Sequence, residues 1–253
     1  MSFDLVGRRA LVTGASRGIG RSIAEAYAAA GADVALMARD ESKLREVADA
    51  VEALGRRAVV LPCDVLDPVA VRAQVDVAVS ELGGLDVLVN NAGGNSFSIP
   101  FATMRFSGWE KTLRLNLDSV VHVTQAAAEA LMASGSASVI NMSSVAGITA
   151  VPLMSHYGAA KAALISLTKS LAVEWAWTGA RVNSLLPGWI ETDLTEFIRN
   201  DEGMETGLIS RVPMQRWGLA HEIAEPAVFL ASSASSFMTG QVLVVDGGLT
   251  VMA

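Results

Sequence analysis

Residues 9–20 read Arg-Ala-Leu-Val-Thr-Gly-Ala-Ser-Arg-Gly-Ile-Gly, and this stretch decides the fold. A strand-type apolar run at 9–12 leads into a turn with glycines at positions 14, 18 and 20, and a helical pattern opens directly after it. Glycines in such a turn let the backbone approach a pyrophosphate, whose charge the amides of a helix N-terminus stabilise. The order of strand, turn and helix is the context that this motif requires. The stretch therefore predicts the first βα unit of a dinucleotide-binding domain.

Strand-type and helix-type segments alternate along the rest of the chain. The strand candidates are 9–12, 33–37, 58–61, 87–89, 138–142, 181–185 and 241–244. The helix candidates are 19–30, 41–54, 68–82, 108–134, 156–177 and 221–231. The strands read as continuous apolar runs, which is typical of strands covered by helices on both faces. The pattern predicts one α/β domain over 1–253, a Rossmann-like doubly wound sheet of seven mainly parallel strands with helices on both faces.

Composition narrows the classes of partner and the compartment. The formal net charge is -7, which argues against nucleic acid as a partner because phosphate binding draws on clustered Lys and Arg. The one cysteine, Cys63, excludes an internal disulfide and a cysteine-based metal cage, and suits a reducing cytoplasm. Residues 1–9 lack the apolar run of a signal peptide, and charged residues interrupt the long apolar stretch 159–176. We expect a cytoplasmic protein with no membrane-spanning helix and no bound metal.

Ser144, Tyr157 and Lys161 have residue types and spacing that suit a proton-transfer site. Tyr157 and Lys161 are four residues apart in a helical segment, so their side chains fall on one helix face. A neighbouring ammonium favours the phenolate, which lets a tyrosine exchange a proton near neutral pH. We therefore expect Lys161 to lower the pKa of Tyr157.

Several motifs occur together in this chain. The glycine turn has the spacing G-x-x-x-G-x-G, Asn-Asn-Ala-Gly follows the fourth predicted strand at 90–93, and Ser144 precedes Tyr157 by thirteen residues. In this combination and order, the chain resembles the short-chain dehydrogenases/reductases over nearly its whole length. The resemblance implies hydride transfer between a nicotinamide cofactor and a carbonyl or secondary alcohol. The same interval of thirteen residues favours Ser144 over the adjacent Ser143 as the active serine.

The resemblance also implies the roles of four catalytic residues. Tyr157 would be the general acid in reduction and the general base in oxidation, and Ser144 would hydrogen-bond the substrate oxygen as it becomes negatively charged. Lys161 would also bind the hydroxyls of the nicotinamide ribose. Asn116 would help to hold a water that links Lys161 to solvent.

The end of the second predicted strand distinguishes between the two nicotinamide cofactors. In the family that this chain resembles, an acidic residue there binds the ribose hydroxyls of NAD. Here the position is Ala38, the next residue is Arg39, and Arg17 lies within the glycine turn. Two guanidinium groups suit a 2′-phosphate, which each can bind in bidentate geometry. The sequence therefore predicts NADP(H).

The remaining cofactor contacts are implied by the resemblance. Asp64 would meet the adenine, Ala92 and Gly93 would lie against the adenosine ribose, Asn90 would steady the central strand, and 187–192 would hold the nicotinamide carboxamide. The full predicted cofactor set is Gly14, Ser16, Arg17, Gly18, Ile19, Gly20, Arg39, Asp64, Val65, Asn91, Ala92, Gly93, Tyr157, Lys161, Pro187, Gly188, Ile190 and Thr192.

Substrate contacts are implied after Gly93, between Ser144 and Tyr157, and in the segment 189–215. That segment breaks the alternation of strand and helix, and we expect it to act as a lid. The predicted wall is mostly apolar and consists of Gly94, Asn95, Phe97, Ile99, Ile148, Leu153, Met154, Trp189, Leu194 and Phe197. Such a wall fits a ketone with an aliphatic or aromatic body better than a bare sugar.

Three functions remain compatible with these patterns. The first is NADP(H)-dependent reduction of an apolar ketone or a 3-oxoacyl thioester. The second is a polyol or sugar-acid dehydrogenase working toward oxidation, which the acid-free second strand disfavours. The third is a nucleotide-sensing protein without turnover, which would have no need of Tyr157.

The resemblance further implies a homotetramer whose subunits meet through the helices at 108–134 and 156–177. His156 adjoins Tyr157 but points away from it on a helix, so no mechanistic role is predicted for it.

Overall fold

The computed structural model describes residues 3–193 and 195–252, except for the side chain of Phe197. The strands are β1 Arg9–Thr13, β2 Asp33–Ala38, β3 Ala58–Pro62, β4 Val87–Asn90, β5 Ser138–Met142, β6 Arg181–Pro187 and β7 Val242–Val245. The α-helices are α1 Gly18–Ala29, α2 Glu41–Ala53, α3 Pro68–Leu82, α4 Phe106–Leu113, α5 Ser119–Ala133, α6 Ser155–Trp175, α7 Glu196–Arg199, α8 Glu202–Ile209 and α9 His221–Ala231. The strands form one sheet in the order β3-β2-β1-β4-β5-β6-β7, and every neighbouring pair is parallel. The predicted doubly wound sheet of seven strands is confirmed.

Both faces of the sheet are covered by helices. Consecutive residues of a strand face opposite sides, so Val12 of β1 packs in the cluster that includes Ile23 of α1 and Ile223 of α9. Its neighbour Leu11 packs in the opposite cluster, which includes Val75 of α3. Each strand therefore needs apolar residues at successive positions, which is why the strands read as continuous apolar runs in the sequence.

The first three helices begin in different ways. Asp40 caps α2 by accepting a hydrogen bond from the Lys43 amide, and Asp67 caps α3 by accepting from the amides of Val69 and Ala70. At the start of α1 the cap residue is Arg17, which makes no capping hydrogen bond with its side chain. The first amides of α1 thus keep their capacity to bind an anion.

The predicted helix at 108–134 is two α-helices joined by a π-helical turn. α4 ends at Leu113, the π turn spans Arg114–Asp118, and α5 follows directly. In the turn the amide of Ser119 bonds to the carbonyl of Arg114, five residues earlier. The boundary between the two helices is invisible in the sequence because a π turn adds one residue without any breaking residue. Asn116 lies in this turn and is fully buried.

The strand order reverses between β1 and β4, which are neighbours at the centre of the sheet. In doubly wound sheets, ligands bind in the crevice at the carboxyl ends of the strands at this point. The glycine turn follows β1 there, and Asn91 to Gly93 follow β4. Over residues 3–193 and 195–252, no helix combines the length and the apolarity needed to cross a membrane.

Candidate active site

The glycine turn after β1 forms a cradle that excludes side chains. Gly14 and Gly18 have φ angles of +66° and +54°, in the left-handed region that favours glycine. A Cβ added to Gly20 would lie 2.2 Å from the Gly14 carbonyl oxygen and 2.5 Å from Nδ2 of Asn91. Only glycine fits at position 20.

Thr13 fastens the glycine turn to the segment after β4, a role that the sequence did not indicate. Its hydroxyl accepts hydrogen bonds from the amides of Asn91 at 2.9 Å and Ala92 at 3.0 Å, and donates to the Val89 carbonyl at 3.2 Å. The side chain of Asn91 also binds the turn, because its Nδ2 donates to the carbonyls of Thr13 and Gly14. A threonine at the end of a buried apolar strand is the only signal that could have pointed to this role.

The residues predicted to select the cofactor lie around the turn. The guanidinium of Arg17 is exposed and lies 3.3 Å from the Asp193 carboxylate, in an equally exposed pair. Arg39 directly follows β2 and is exposed, and no ion pair holds it within the described part of the chain. Asp64 follows β3, is exposed, and accepts a hydrogen bond from the Leu66 amide at 3.0 Å. All three side chains are accessible to a ligand in the crevice.

The segment after β6 closes one side of the crevice. Thr192 reaches the glycine turn, where its Cγ2 would lie 3.4 Å from a Cβ added to Gly18. Gly188 lies against the end of β7, where an added Cβ would come within 2.7 Å of the Asp246 Cα. The buried Ile190 pairs with Gly218 through an isolated parallel bridge. The predicted nicotinamide segment is therefore held against both the turn and the sheet.

Ser144 and Tyr157 are brought together at the carboxyl end of β5. Ser144 opens the short 3-10 turn Val145–Gly147, and its hydroxyl accepts a hydrogen bond from the Ala146 amide at 3.1 Å. It also hydrogen-bonds with Tyr157. The hydroxyl of the adjacent Ser143 is buried and donates to the Lys161 carbonyl at 2.9 Å. Ser144 thus stays the predicted active serine, since the Ser143 hydroxyl is occupied by the Lys161 carbonyl.

The expected effect of Lys161 on Tyr157 is not found in the protein alone. The Lys161 ammonium lies 5.7 Å from the centre of the Tyr157 ring, and it donates a hydrogen bond to the Met142 carbonyl at 2.8 Å. Burial raises the pKa of Tyr157, and the hydrogen bond with Ser144 opposes this only in part. Burial also lowers the pKa of Lys161 to about 8. The expectation of a lowered pKa at Tyr157 was wrong for this state, because desolvation is the largest influence and the one that opposes it comes from Ser144.

Asn116 holds the segment that follows Asn-Asn-Ala-Gly. Its Oδ1 accepts from the Gly94 amide at 2.9 Å, and its Nδ2 donates to the carbonyls of Gly94 at 2.9 Å and Thr112 at 3.0 Å. A Cβ added to Gly93 would lie 2.8 Å from Oδ1 of Asn116 and 3.4 Å from Nζ of Lys161. Gly93 thus lies between two of the predicted catalytic residues, with no room for a side chain.

Asn90 connects the central strands through buried hydrogen bonds. Its Nδ2 donates to the Thr124 hydroxyl at 2.9 Å and to Oδ1 of Asn141 at 2.8 Å. Asn141 donates in turn to the Thr168 hydroxyl at 2.8 Å. This chain of contacts ties β4 and β5 to α5 and α6, in keeping with the steadying role expected for Asn90.

The predicted substrate wall is formed by two loops that meet. The Ile99 amide donates to the Leu153 carbonyl at 2.9 Å, which joins the loop after β4 to the loop before α6. Ile148 and Leu153 are exposed by 48% and 51%, so apolar surface is open at the site. Leu194 and the side chain of Phe197 lie outside the described residues. His156, for which no role was predicted, is fully buried behind this wall.

Comparison with known proteins identifies relatives over almost the whole chain. The family model described as enoyl-(acyl carrier protein) reductase matches residues 14–250. The chain is 40% identical to gluconate 5-dehydrogenase of Gluconobacter oxydans, over 98% of this chain and 97% of that protein. It is 39% identical to the 3-oxoacyl-acyl-carrier-protein reductase FabG of Escherichia coli, over 98% and 99% of the two chains.

A solved structure shares the whole architecture. The gluconate 5-dehydrogenase from Burkholderia cenocepacia, in complex with NADP and tartrate, superposes with a TM-score of 0.94 at 39% identity, covering 99% of this chain and 98% of that one. The TM-score, identity and coverage show that the two chains share one fold. The chain belongs to the short-chain dehydrogenase/reductase family of oxidoreductases.

Proposed function

We propose that this protein transfers a hydride between NADP(H) and a carbonyl or secondary alcohol, with Tyr157 as the proton-transfer group. One observation carries the proposal: the short segment from Asn91 to Gly93 touches both halves of the site. Asn91 hydrogen-bonds the glycine turn, and Gly93 lies against Asn116 and Lys161. Cofactor cradle and proton-transfer residues therefore share one crevice.

The residues present fit a dinucleotide with a 2′-phosphate. The glycine turn leaves no room for a side chain at Gly20, and no side chain caps the N-terminus of α1, which suits a pyrophosphate bound by backbone amides. Ala38 occupies the position where an acid would bind the ribose hydroxyls of NAD, and the guanidinium groups of Arg39, the next residue, and of Arg17 in the glycine turn are both exposed. When bound, the reduced nicotinamide would supply the hydride.

Proton transfer in the direction of reduction follows from the state of Tyr157. Because burial raises the pKa of Tyr157, the phenol stays protonated at neutral pH and can donate its proton to the substrate oxygen as negative charge develops there. Ser144, which hydrogen-bonds with Tyr157, would donate a second hydrogen bond to the same oxygen. Oxidation would run the same transfers in reverse, with Tyr157 accepting the alcohol proton.

Two substrate classes follow from the relatives and the pocket. The apolar wall around Ile148 and Leu153 favours an apolar ketone or a 3-oxoacyl thioester, the class named for the Escherichia coli relative. The gluconate 5-dehydrogenase relatives favour a sugar acid. Since the gluconate 5-dehydrogenase of Burkholderia cenocepacia was solved with NADP, the absence of an acid at the end of β2 does not distinguish the two substrate classes. The exposed apolar wall leads us to put the ketone class first.

An NADPH-consumption assay with three probes tests the proposal. The probes are ethyl acetoacetate, the N-acetylcysteamine thioester of acetoacetate, and 5-dehydro-D-gluconate, each followed by the loss of reduced-cofactor absorbance. Faster turnover of either acetoacetate derivative than of 5-dehydro-D-gluconate supports the ketone class, whereas the opposite order favours the sugar-acid class. Tight NADPH binding with no turnover of any of the three probes would favour the sensor alternative and overturn the proposal.

The segment 189–215 is proposed as a lid on a single-domain scaffold. α7 and α8 lie within it, and its attachment is polar and aromatic: Trp217 donates to Glu205 of α8 at 2.7 Å and packs edge to face on Trp189. Hydrogen exchange of α8 amides should slow when NADPH binds. Unchanged exchange would contradict a lid that responds to the cofactor.

We also propose a cytoplasmic homotetramer. Val173 and Trp177 are four residues apart near the end of α6 and are exposed by 80% and 83%, which is apolar surface of the kind that a second copy covers. Light scattering after size exclusion should give a particle of four chains, and a monomer would contradict the proposal. Cell fractionation of the native host should find the protein in the cytoplasmic fraction.

A further inference from the structure

We propose that His156 is a positioning residue that clamps the loop 94–99 and thereby sets which carbonyl substrates the site accepts. The inference rests on the proposed function for its consequence, but not for its geometry. His156 lies in the first turn of α6, one residue before Tyr157. Its side chain is fully buried although its position on the helix directs it away from the reacting groups.

The clamp consists of a ring stack and a hydrogen bond made by the same imidazole. The ring of His156 stacks on Phe97 with centroids 4.3 Å apart and planes at 10°. Its Nε2 lies 3.1 Å from Oδ1 of Asn95, and Nδ2 of Asn95 donates to the Phe97 carbonyl at 2.7 Å. Because Asn95 uses its amide nitrogen as that donor, its Oδ1 must accept, and Nε2 of His156 must carry the proton.

The other ring nitrogen shows that this histidine is not a proton carrier. Nδ1 of His156 is buried and has no hydrogen-bond partner. Protonation there would place an unpaired cation in the interior, and burial lowers the pKa of His156 accordingly. A neutral ring with one satisfied nitrogen fits a role in holding the loop.

The loop is fixed at three points, each on an element that carries a predicted catalytic residue or leads into one. Gly94 is held by the side-chain amide of Asn116, whose Oδ1 accepts from the Gly94 amide and whose Nδ2 donates to the Gly94 carbonyl. Ile99 is held by the Leu153 carbonyl in the loop that precedes α6. Between these ends His156 contacts the side chains of Asn95 and Phe97, so the clamp would set how far the wall lies from Tyr157.

Phe97 has little freedom to move away from the clamp. A Cβ added to Gly108 of α4 would lie 3.1 Å from its Cζ, so the Phe97 ring is enclosed between α4 and His156. Loss of the imidazole would leave a gap on one side of Phe97. A displaced Phe97 would change the width of the pocket more than it changed the positions of the proton-transfer groups.

Two variants separate the two parts of the clamp. His156→Phe keeps a stacking ring and removes the Nε2 donor, whereas Asn95→Ala removes the acceptor from the loop side. The exposed His221 at the start of α9 provides the matched control, His221→Phe. Hydrogen exchange of amides 96–99 in the protein without substrate should accelerate in the first two variants and not in the control. Unchanged exchange in both would overturn the clamp.

Selectivity is measured with a matched pair of esters, ethyl acetoacetate and ethyl benzoylacetate, which differ by a methyl against a phenyl group. Loss of one hydrogen bond predicts a change of about fivefold in the ratio of their kcat/KM values in His156→Phe and in Asn95→Ala. NADPH affinity should stay within about twofold of the starting protein, as expected for a residue outside the cofactor cradle.

A double-mutant cycle decides whether His156 acts through Asn95. In the Asn95→Ala background, His156→Phe should add no further change to the selectivity ratio, whereas additive effects would overturn the proposal. An unaltered selectivity ratio in both single variants would also overturn the proposal. If the starting protein reduced neither ester, the ketone substrate class would fail, whereas the clamp would still be decided by the exchange measurement, which needs no substrate.

Discussion

The ammonium of Lys161 lies over the ring of Tyr157, 5.7 Å from its centre, and is bound to the Met142 carbonyl. Lys161 is only 4% exposed, so a cation is held at low dielectric beside a phenol. At rest, burial of the phenol dominates and the proton stays on Tyr157. Once that proton leaves, the same buried cation stabilises the phenolate more strongly than a solvated lysine would. The arrangement suits proton donation in the reaction rather than a resting phenolate.

Removal of the Tyr157 hydroxyl should abolish turnover. Tyr157→Phe is expected to lower kcat by about 10²-fold to 10⁴-fold, which is the usual contribution of a general acid. NADPH affinity, measured by fluorescence titration, should remain within about twofold because the change removes one oxygen atom and leaves the glycine turn unaltered.

The other tyrosine of the chain provides the control for that experiment. Tyr27 is buried in the core, and its hydroxyl donates to the Ala227 carbonyl at 3.0 Å. Tyr27→Phe should cost about 1 kcal/mol of unfolding free energy through the lost hydrogen bond and leave kcat unchanged. Substantial turnover by Tyr157→Phe would refute its role as the proton-transfer group.

The buried ammonium of Lys161 predicts a dependence of stability on pH in the absence of cofactor. The folded protein lowers the pKa of Lys161 from 10.5 to about 8, so between these values the unfolded chain binds more protons than the folded one. The free energy of unfolding should therefore rise with pH across this window, by up to about 3 kcal/mol from this group. Below pH 8 the charged lysine is buried at a cost, and that cost is relieved as the proton leaves.

Urea unfolding at several pH values checks this sign. Lys161→Met should show a flatter profile than the starting protein between pH 8 and 10.5, the ordinary pKa of a lysine. The difference between the two profiles isolates Lys161 from other groups that titrate there. Parallel profiles would show that Lys161 keeps an ordinary pKa in the folded protein.

The fold could be predicted because the strands carry their information locally. Leu11 and Val12 face opposite clusters, so both must be apolar, and the glycine turn marks where β1 ends. The π turn around Asn116 could not be predicted in this way. Its extra residue depends on how α4 and α5 pack, and no residue type in the segment breaks a helix.

Residue types and spacing predict which residues form the site. They do not predict the direction of the pKa change at Tyr157 or the side chains that hold the site in place. The spacing of Tyr157 and Lys161 indicates that they share a helix face, whereas the sign of the pKa change at Tyr157 depends on burial that only the folded chain defines. His156 was set aside because neighbours on a helix point apart. That is correct, and it is also the reason why its ring reaches Phe97 instead.

Cofactor preference should depend on Arg39. Arg39→Ala removes a guanidinium that can form charge-assisted hydrogen bonds with a 2′-phosphate, so NADPH affinity should fall by about tenfold or more. NADH affinity should stay within about twofold because NADH lacks that phosphate. Arg45→Ala is the control, since Arg45 is exposed on α2 and pairs with Glu41 of the same helix. Equal losses of NADPH and NADH affinity in Arg39→Ala would refute a 2′-phosphate contact.

The cradle should not tolerate a methyl group at Gly20. The added Cβ would meet the Gly14 carbonyl oxygen at 2.2 Å, and backbone held by Asn91 cannot move aside cheaply. Gly20→Ala should therefore cost about 1–3 kcal/mol of stability through overpacking and weaken NADPH binding by at least about tenfold. Gly55→Ala separates these effects, because Gly55 has a φ of +74° and nothing within 4 Å of an added Cβ. It should cost about 1 kcal/mol through backbone strain alone and leave NADPH affinity unchanged. Calorimetric titration of both variants with NADPH decides the matter, since normal binding by Gly20→Ala would mean that the turn after β1 does not hold the pyrophosphate.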